Sequence, residues 1–239
     1  MNLSDVKKLQ QKKYRQAFGC FLLEGEHLAQ ELEKACQHNP HWQQARLYVT
    51  EAYADWPTQL RKELISDKQL QAICDTQQPQ GIVAVLPMPL ASQAPAGQRA
   101  LYLHQVQDPG NLGTIMRTLA WFGGFRLLLS PGSVDPFNPK VVRSSMGAVL
   151  HVPIEQEVEL ADLAARYPRL AYLDMQGEPL SSASFAKADA YLFGNEARGV
   201  PREALAALKA QAYSIAGCGA IESLNLASVV SMSLYELHR

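Results

Sequence analysis

The chain has 239 residues, 47% hydrophobic and 19% charged, with a formal net charge of −1. This is the balance of a soluble globular protein with room for one large domain or two modest ones, and it excludes a protein whose whole surface coats nucleic acid. No window reaches the eighteen or so apolar residues of a membrane span, no signal peptide is visible, and Cys20, Cys36, Cys74 and Cys218 lack any paired spacing, so membrane, metal and disulfide frameworks are set aside and a reducing cytoplasm fits.

Taken in order, Ser4 is expected to cap a helix that runs to about Phe18 and stops at Gly19. Lys7, Lys8, Lys12, Lys13 and Arg15 oppose only Asp5 there, a basic patch that suits either a solvated helix face or a phosphate-contacting one. Phe21-Leu22-Leu23 reads as a short strand, Leu28, Leu32 and Ala35 share one face of a second helix, and Arg46 to Thr50 and Gly81 to Leu86 read as strands. Pro87, Pro89, Pro95 and Gly97 punctuate an Ala/Ser/Gln-rich stretch without periodicity, so residues 87–99 are read as a linker between a 1–90 domain and a 100–239 domain. Strand-like runs follow at Ala100 to Val106, Phe125 to Leu129, Val149 to Pro153, Leu170 to Asp174, Ala190 to Phe193 and Ala212 to Ile215, alternating with helical patterns. That alternation predicts an α/β fold with a mostly parallel sheet covered on both faces.

Three clusters fall where a strand gives way to a loop and a helix. Gln107 to Arg117 holds the breaker pair Pro109-Gly110, and Asn111 can cap a helix carrying Ile115, Leu119 and Phe122 on one face. In Leu192 to Pro201, Gly194 and Gly199 allow a backbone to approach a ligand, with Asn195 and Glu196 free to point into a site. Ile215 to Asn225 is a small-residue loop opening an apolar C-terminal helix. In open parallel sheets ligands bind at such carboxyl edges. Each cluster alone fits a cap or a tight turn; the three together point to a site. The dinucleotide fingerprint fails at Gly110 and Gly217, and no Walker loop, nucleophile elbow or zinc helix is present. His104 could serve as a base, but a hydrogen-bonded strand histidine is the simpler assignment.

Asn111-x-Gly113-x-x-x-Arg117, Gly194-Asn195-Glu196 and Glu222-Ser223-Leu224-Asn225, in that order, resemble the three motifs of the SpoU (TrmH-like) RNA 2′-O-ribose methyltransferases of the SPOUT superfamily. Asn138 to Ala148 resembles the family's stretch between its first two motifs. Lys13-Tyr14-Arg15 through Glu24-Gly25-Glu26, with Pro79-Gln80-Gly81-Ile82, resembles the L30e-like substrate-binding domain of many members.

The resemblance implies a deep trefoil knot in the C-terminal domain, S-adenosylmethionine as cofactor, a homodimer and an RNA substrate. Ribosomal RNA stands ahead of transfer RNA, since the N-terminal domain is similar to that of members acting on ribosomal RNA; an RNA-binding member that has lost catalysis is the alternative. By the same resemblance Asn111, Arg117, Glu196, Ser223 and Asn225 are catalytic, and Phe193, Gly194, Asn195, Gly199, Ile215, Ala216 and Leu224 hold the cofactor. Arg117, Arg143, Lys12, Lys13 and Arg15 face RNA. Glu196 and Asn111 are expected to hold Arg117 against phosphate. Ala216-Gly217 stands where a Pro-Met pair is common in the family.

Overall fold

A computed structural model of the chain describes residues 1–90 and 98–239. The middle of the expected linker, with Pro95 and Gly97, lies outside the described residues. Contacts divide the chain into two compact units, Met1–Leu90 with Asp135–His151, and residues 98–134 with Val152–Arg239. Asp135–His151, expected with the second half, packs with the first.

In the first unit the single N-terminal helix expected from sequence is two, α1 (Leu3–Lys8) and α2 (Lys12–Phe18), and Asn2 rather than Ser4 caps the first by accepting the Asp5 N–H at 2.9 Å. The break has a physical cause. In a continuous helix the Leu9 carbonyl would accept the Lys13 N–H; here it accepts Nη1 of the buried Arg15 at 2.7 Å. Gly19 ends α2 at φ +61°, the left-handed conformation glycine tolerates best.

β1 (Cys20–Glu24), α3 (Glu26–His38) and β2 (Arg46–Val49) follow as expected. β3 (Arg61–Leu64) and α4 (Asp67–Ile73) were not anticipated. β3 is a fully exposed edge strand, Arg-Lys-Glu-Leu, whose charges discourage pairing with other chains and erase any hydrophobic alternation. α4 carries a reciprocal capping box between Ser66 and Gln69, a pattern visible in the sequence. β4 (Ile82–Pro87) completes a sheet of order β1-β4-β2-β3.

The second unit holds β5 (Arg99–Leu103), α5 (Pro109–Phe122) and β6 (Phe125–Leu129); the chain then gives α6 (Pro139–Ser144) to the first unit. The strand expected at Val149 to Pro153 is a 3₁₀ turn at Ala148–Leu150 followed by the two-residue β7 (Ile154–Glu155). Then come α7 (Leu160–Arg166), β8 (Leu170–Pro179), β9 (Ala190–Phe193), α8 (Arg202–Ala207), β10 (Gln211–Ser214) and α9 (Leu226–His238). All six strands run parallel, in the order β10-β8-β9-β5-β6-β7. β6 and β9 are buried at every position and β5 at all but its first, the continuous apolar run of strands covered on both faces. α5 buries Leu112, Ile115, Met116 and Leu119, a single helical stripe, and packs beside α9.

Candidate functional site

The site begins with strand register. β5 and β9 are neighbours with Leu103 opposite Phe193, so the segments leaving their carboxyl ends start side by side. The Asp108 carboxylate caps α5 by accepting the Asn111 N–H at 2.7 Å, and Pro109 occupies the first helical position, where its missing donor costs nothing. Asn111 is therefore not the cap expected from sequence. It is the third helical residue, and its amide is free to reach across the sheet edge.

That amide joins the three clusters. Glu196 accepts the N–H groups of Gln107 and Asp108 and Nδ2 of Asn111, each at 3.2 Å. A carboxylate at the start of α5 also sits where the helix dipole favours negative charge. Oδ1 of Asn111 accepts Nδ2 of Asn225 at 2.9 Å, and Oδ1 of Asn225 accepts the N–H groups of Ala227 and Ser228 at 2.9 and 3.3 Å, capping α9. Each amide thus has one orientation: reversing Asn111 would set its oxygen against Glu196 and its NH₂ against that of Asn225. Beside this relay lies an open cleft of about 470 Å³ lined by Asn111, Thr114, Asn225, Ala227, Ser228, Ser231 and Met232. A bond of 3.0 Å between the Thr118 and Ser231 hydroxyls ties α5 to α9 behind it. Thr114, Ser228 and Ser231 were not picked out from sequence, although Thr114 and Ser228 stand three residues, one helical turn, beyond Asn111 and Asn225.

The second cluster is built differently from expectation. A Cβ on Gly194 would lie 2.2 Å from the Gly199 carbonyl carbon, so this glycine admits the loop's own backbone rather than a ligand. Asn195 and Gly199 exchange two backbone bonds of 2.9 Å. The Asn195 side chain is buried: its Oδ1 accepts the N–H groups of Ala197 and Arg198 at 3.0 Å, and its Nδ2 donates to the Gln105 carbonyl at 2.7 Å. Phe193 is core, with its carbonyl accepting the His104 N–H. Residues 193–199 therefore form a rigid platform that aims Glu196. His104 is half-buried behind it, its imidazole pKa lowered by burial and by the nearby Arg198 charge.

The third cluster is open. Residues 216–224 are all exposed and, among the described residues, make no hydrogen bond. Ser223 and Leu224 lie in this run, apart from the relay. Arg117 is exposed too, about 240° around α5 from Asn111, and bonds to neither Asn111 nor Glu196. Among the described residues, neither Asn111 nor Glu196 makes the expected grip on this arginine.

The expected RNA contacts in the first unit also separate. Arg15 is only 2% exposed; its Nε donates to Asp135 at 3.0 Å and its Nη2 to the same oxygen, so no phosphate can reach it. Arg143 pairs with Asp75 at 2.8 Å and Glu24 at 3.7 Å. Lys12 and Lys13 remain exposed.

Comparison with known proteins bears on both units. Residues 98–235 match the model of the SpoU rRNA Methylase family, and residues 2–84 that of the MRM3-like substrate binding domain. The 23S rRNA (guanosine(2553)-2'-O)-methyltransferase RlmP of Bacillus subtilis is 32% identical over 98% of this chain and 95% of its own. Among solved structures, a putative TrmH-family RNA methyltransferase from Porphyromonas gingivalis superposes with a TM-score of 0.83 at 28% identity, covering 98% of this chain and 96% of that one. An AdoMet-bound rRNA methyltransferase from Sinorhizobium meliloti does so with 0.81 at 25%, covering 99% and 93%.

Proposed function

Because the chain belongs to the SpoU rRNA methylase family, we propose that it methylates a ribose 2′-hydroxyl of ribosomal RNA with S-adenosylmethionine as donor. The observation that carries this reading is the relay Glu196–Asn111–Asn225, which links all three sequence clusters at one sheet edge beside an open polar cleft.

The residues present fit the cofactor. Among the described residues, 216–224 offer unengaged backbone donors and acceptors; Ile215, at the entrance to that run, with Ala216 and Leu224 in it, would hold S-adenosylmethionine. Phe193, Gly194, Asn195 and Gly199 act from behind, keeping the neighbouring loop in shape. When bound, the cofactor supplies a methyl group on a positively charged sulfur. The cleft lining holds amides and hydroxyls but neither carboxylate nor imidazole, so the chain's own part is positioning. The fixed amides of Asn111 and Asn225 orient the sugar; Ser223 contacts RNA or cofactor from the open run. A guanidinium is a donor and a poor base, so Arg117 acts by charge and geometry: it neutralises a phosphate and stabilises the developing oxyanion.

The domain roles belong to the same proposal: residues 1–90 bind RNA, with Lys12 and Lys13 on phosphate, and residues 100–239 carry the transfer. So does a homodimer through the second unit. Met232 and Tyr235 on α9 and Trp121 on α5 are 45%, 62% and 85% exposed, an apolar face a second copy would cover. The trefoil knot implied by the family would run through 215–225, which leads from edge strand β10 back to α9 beside α5. No helix is long and apolar enough among the described residues to cross a membrane, and the proposed working place is the cytoplasm.

Calorimetric titration with S-adenosylhomocysteine, followed by transfer of labelled methyl to ribosomal and transfer RNA, tests the proposal. Binding with incorporation into ribosomal RNA is expected. Incorporation into transfer RNA alone would move the substrate, and absent binding would favour a non-catalytic RNA-binding member, the reading that Ala216-Gly217 supports.

A further inference from the structure

α2 has two faces of opposite character. Its inner face buries Arg15 on Asp135. Its outer face carries Tyr14 and Phe18, one turn apart, with ring centroids 6.0 Å apart and planes 20° from parallel. Phe18 is 37% exposed, and neither ring belongs to the buried core. Lys13 Nζ lies 4.7 Å from the Tyr14 ring centroid and Lys8 Nζ 5.8 Å from it. Lys8 also pairs with Asp5 at 2.8 Å.

Burial does not explain this arrangement, because solvent reaches the rings. Two near-parallel rings, with two ammonium groups beside the first, have the chemistry of a single-strand nucleic-acid site: the π faces stack a base and the cations take the phosphates on either side. A base inside a duplex has both faces covered, which excludes paired RNA as the occupant. We infer that Tyr14 and Phe18 form a stacking platform for an unpaired base of the RNA substrate, with Lys13 and Lys8 on the flanking phosphates. The inference rests on the RNA-substrate reading above and adds the class of RNA and the residues that distinguish it.

The test is fluorescence anisotropy of the full chain with a labelled, unstructured oligoribonucleotide and no cofactor. Tyr14→Leu and Phe18→Lys are each expected to weaken binding roughly 5- to 150-fold, the loss of one stacked base, while Tyr14→Phe keeps it. Lys13→Gln should lower the slope of log affinity against log salt by about 0.7. Phe18→Lys is decisive because it adds a positive charge: attraction by charge alone requires equal or tighter binding, and that result would overturn the inference. Competition by the duplex, or by polyglutamate, as effective as by the single strand would overturn it too. S-adenosylhomocysteine affinity, read separately, should be unchanged in every variant; its absence from the wild type would contradict the enzyme reading and leave this one standing on the oligonucleotide data.

Discussion

Asn225 has two jobs that substitution can separate. Its Oδ1 caps α9 and its Nδ2 orients Asn111. Asn225→Ala removes both: a lost cap costs about 1 kcal/mol, and an exposed amide–amide bond about 0.5–1 kcal/mol more, so urea unfolding followed by circular dichroism should show a loss of roughly 1.5–2 kcal/mol. Asn225→Asp keeps the capping oxygen and adds a negative charge where the helix dipole favours it by about 0.3–1 kcal/mol. It also removes the donor and sets a carboxylate against Asn111 Oδ1. Asn111 cannot answer by reversing its amide, because Glu196 then meets its oxygen. Asn225→Asp is therefore expected to lie within about 0.5 kcal/mol of wild type in stability while kcat/KM for methyl transfer falls at least about tenfold, the scale of a small misplacement at a site that works by alignment. Equal destabilisation by Ala and Asp would refute the cap, and an active Asn225→Asp enzyme would refute the relay.

Gly194→Ala places a methyl 2.2 Å from a backbone carbon that cannot yield, so a loss of more than about 2 kcal/mol and weakened S-adenosylhomocysteine binding are expected in melting and calorimetry. Arg15→Met leaves the largely buried Asp135 without its ion-pair partner and should cost about 3 kcal/mol in urea unfolding, while RNA affinity in native buffer stays at the wild-type value. Arg117→Lys should remove most activity with stability unchanged, since a point charge cannot reproduce the planar fork; near wild-type turnover would contradict its role. The Glu155 and Asp189 carboxyls are held below their usual range by bonds from Arg166 and Arg169. They bind fewer protons folded than unfolded, so their contribution is complete above about pH 4.5 and is lost as pH falls through and below the unfolded carboxylate range. Arg169→Met should flatten that acid-side decline in urea midpoints.

Much of this was legible in the chain because burial on both faces writes β6 and β9 as uninterrupted apolar runs, and their bounds agree with the sequence-based ones. The same signal failed at Val149 to Pro153, where an equally apolar segment is buried as a 3₁₀ turn: a short apolar run records burial, not backbone conformation. Arg15 was misassigned because a charged residue reads as surface unless its partner is known, and Asp135 lies 120 positions away. Gly194 correctly signalled close approach, but what approaches is the loop itself, and Gly199 serves the turn through its left-handed φ of +67°. The three clusters were visible as clusters; which side chains meet depends on Asp108 taking the cap and freeing Asn111, a choice between two capping residues three positions apart that spacing alone leaves open.

The most direct measurement is the position of the methyl group. Ribosomal RNA incubated with the purified chain and isotopically labelled S-adenosylmethionine, digested to nucleosides and resolved by mass spectrometry, should yield label in a single 2′-O-methylated nucleoside. Asn111→Ala and Asn225→Asp should lower its yield at least about tenfold, the cost of a misaligned site. Label on a base, or undiminished label from both variants, would contradict the assignment of this site to ribose methylation.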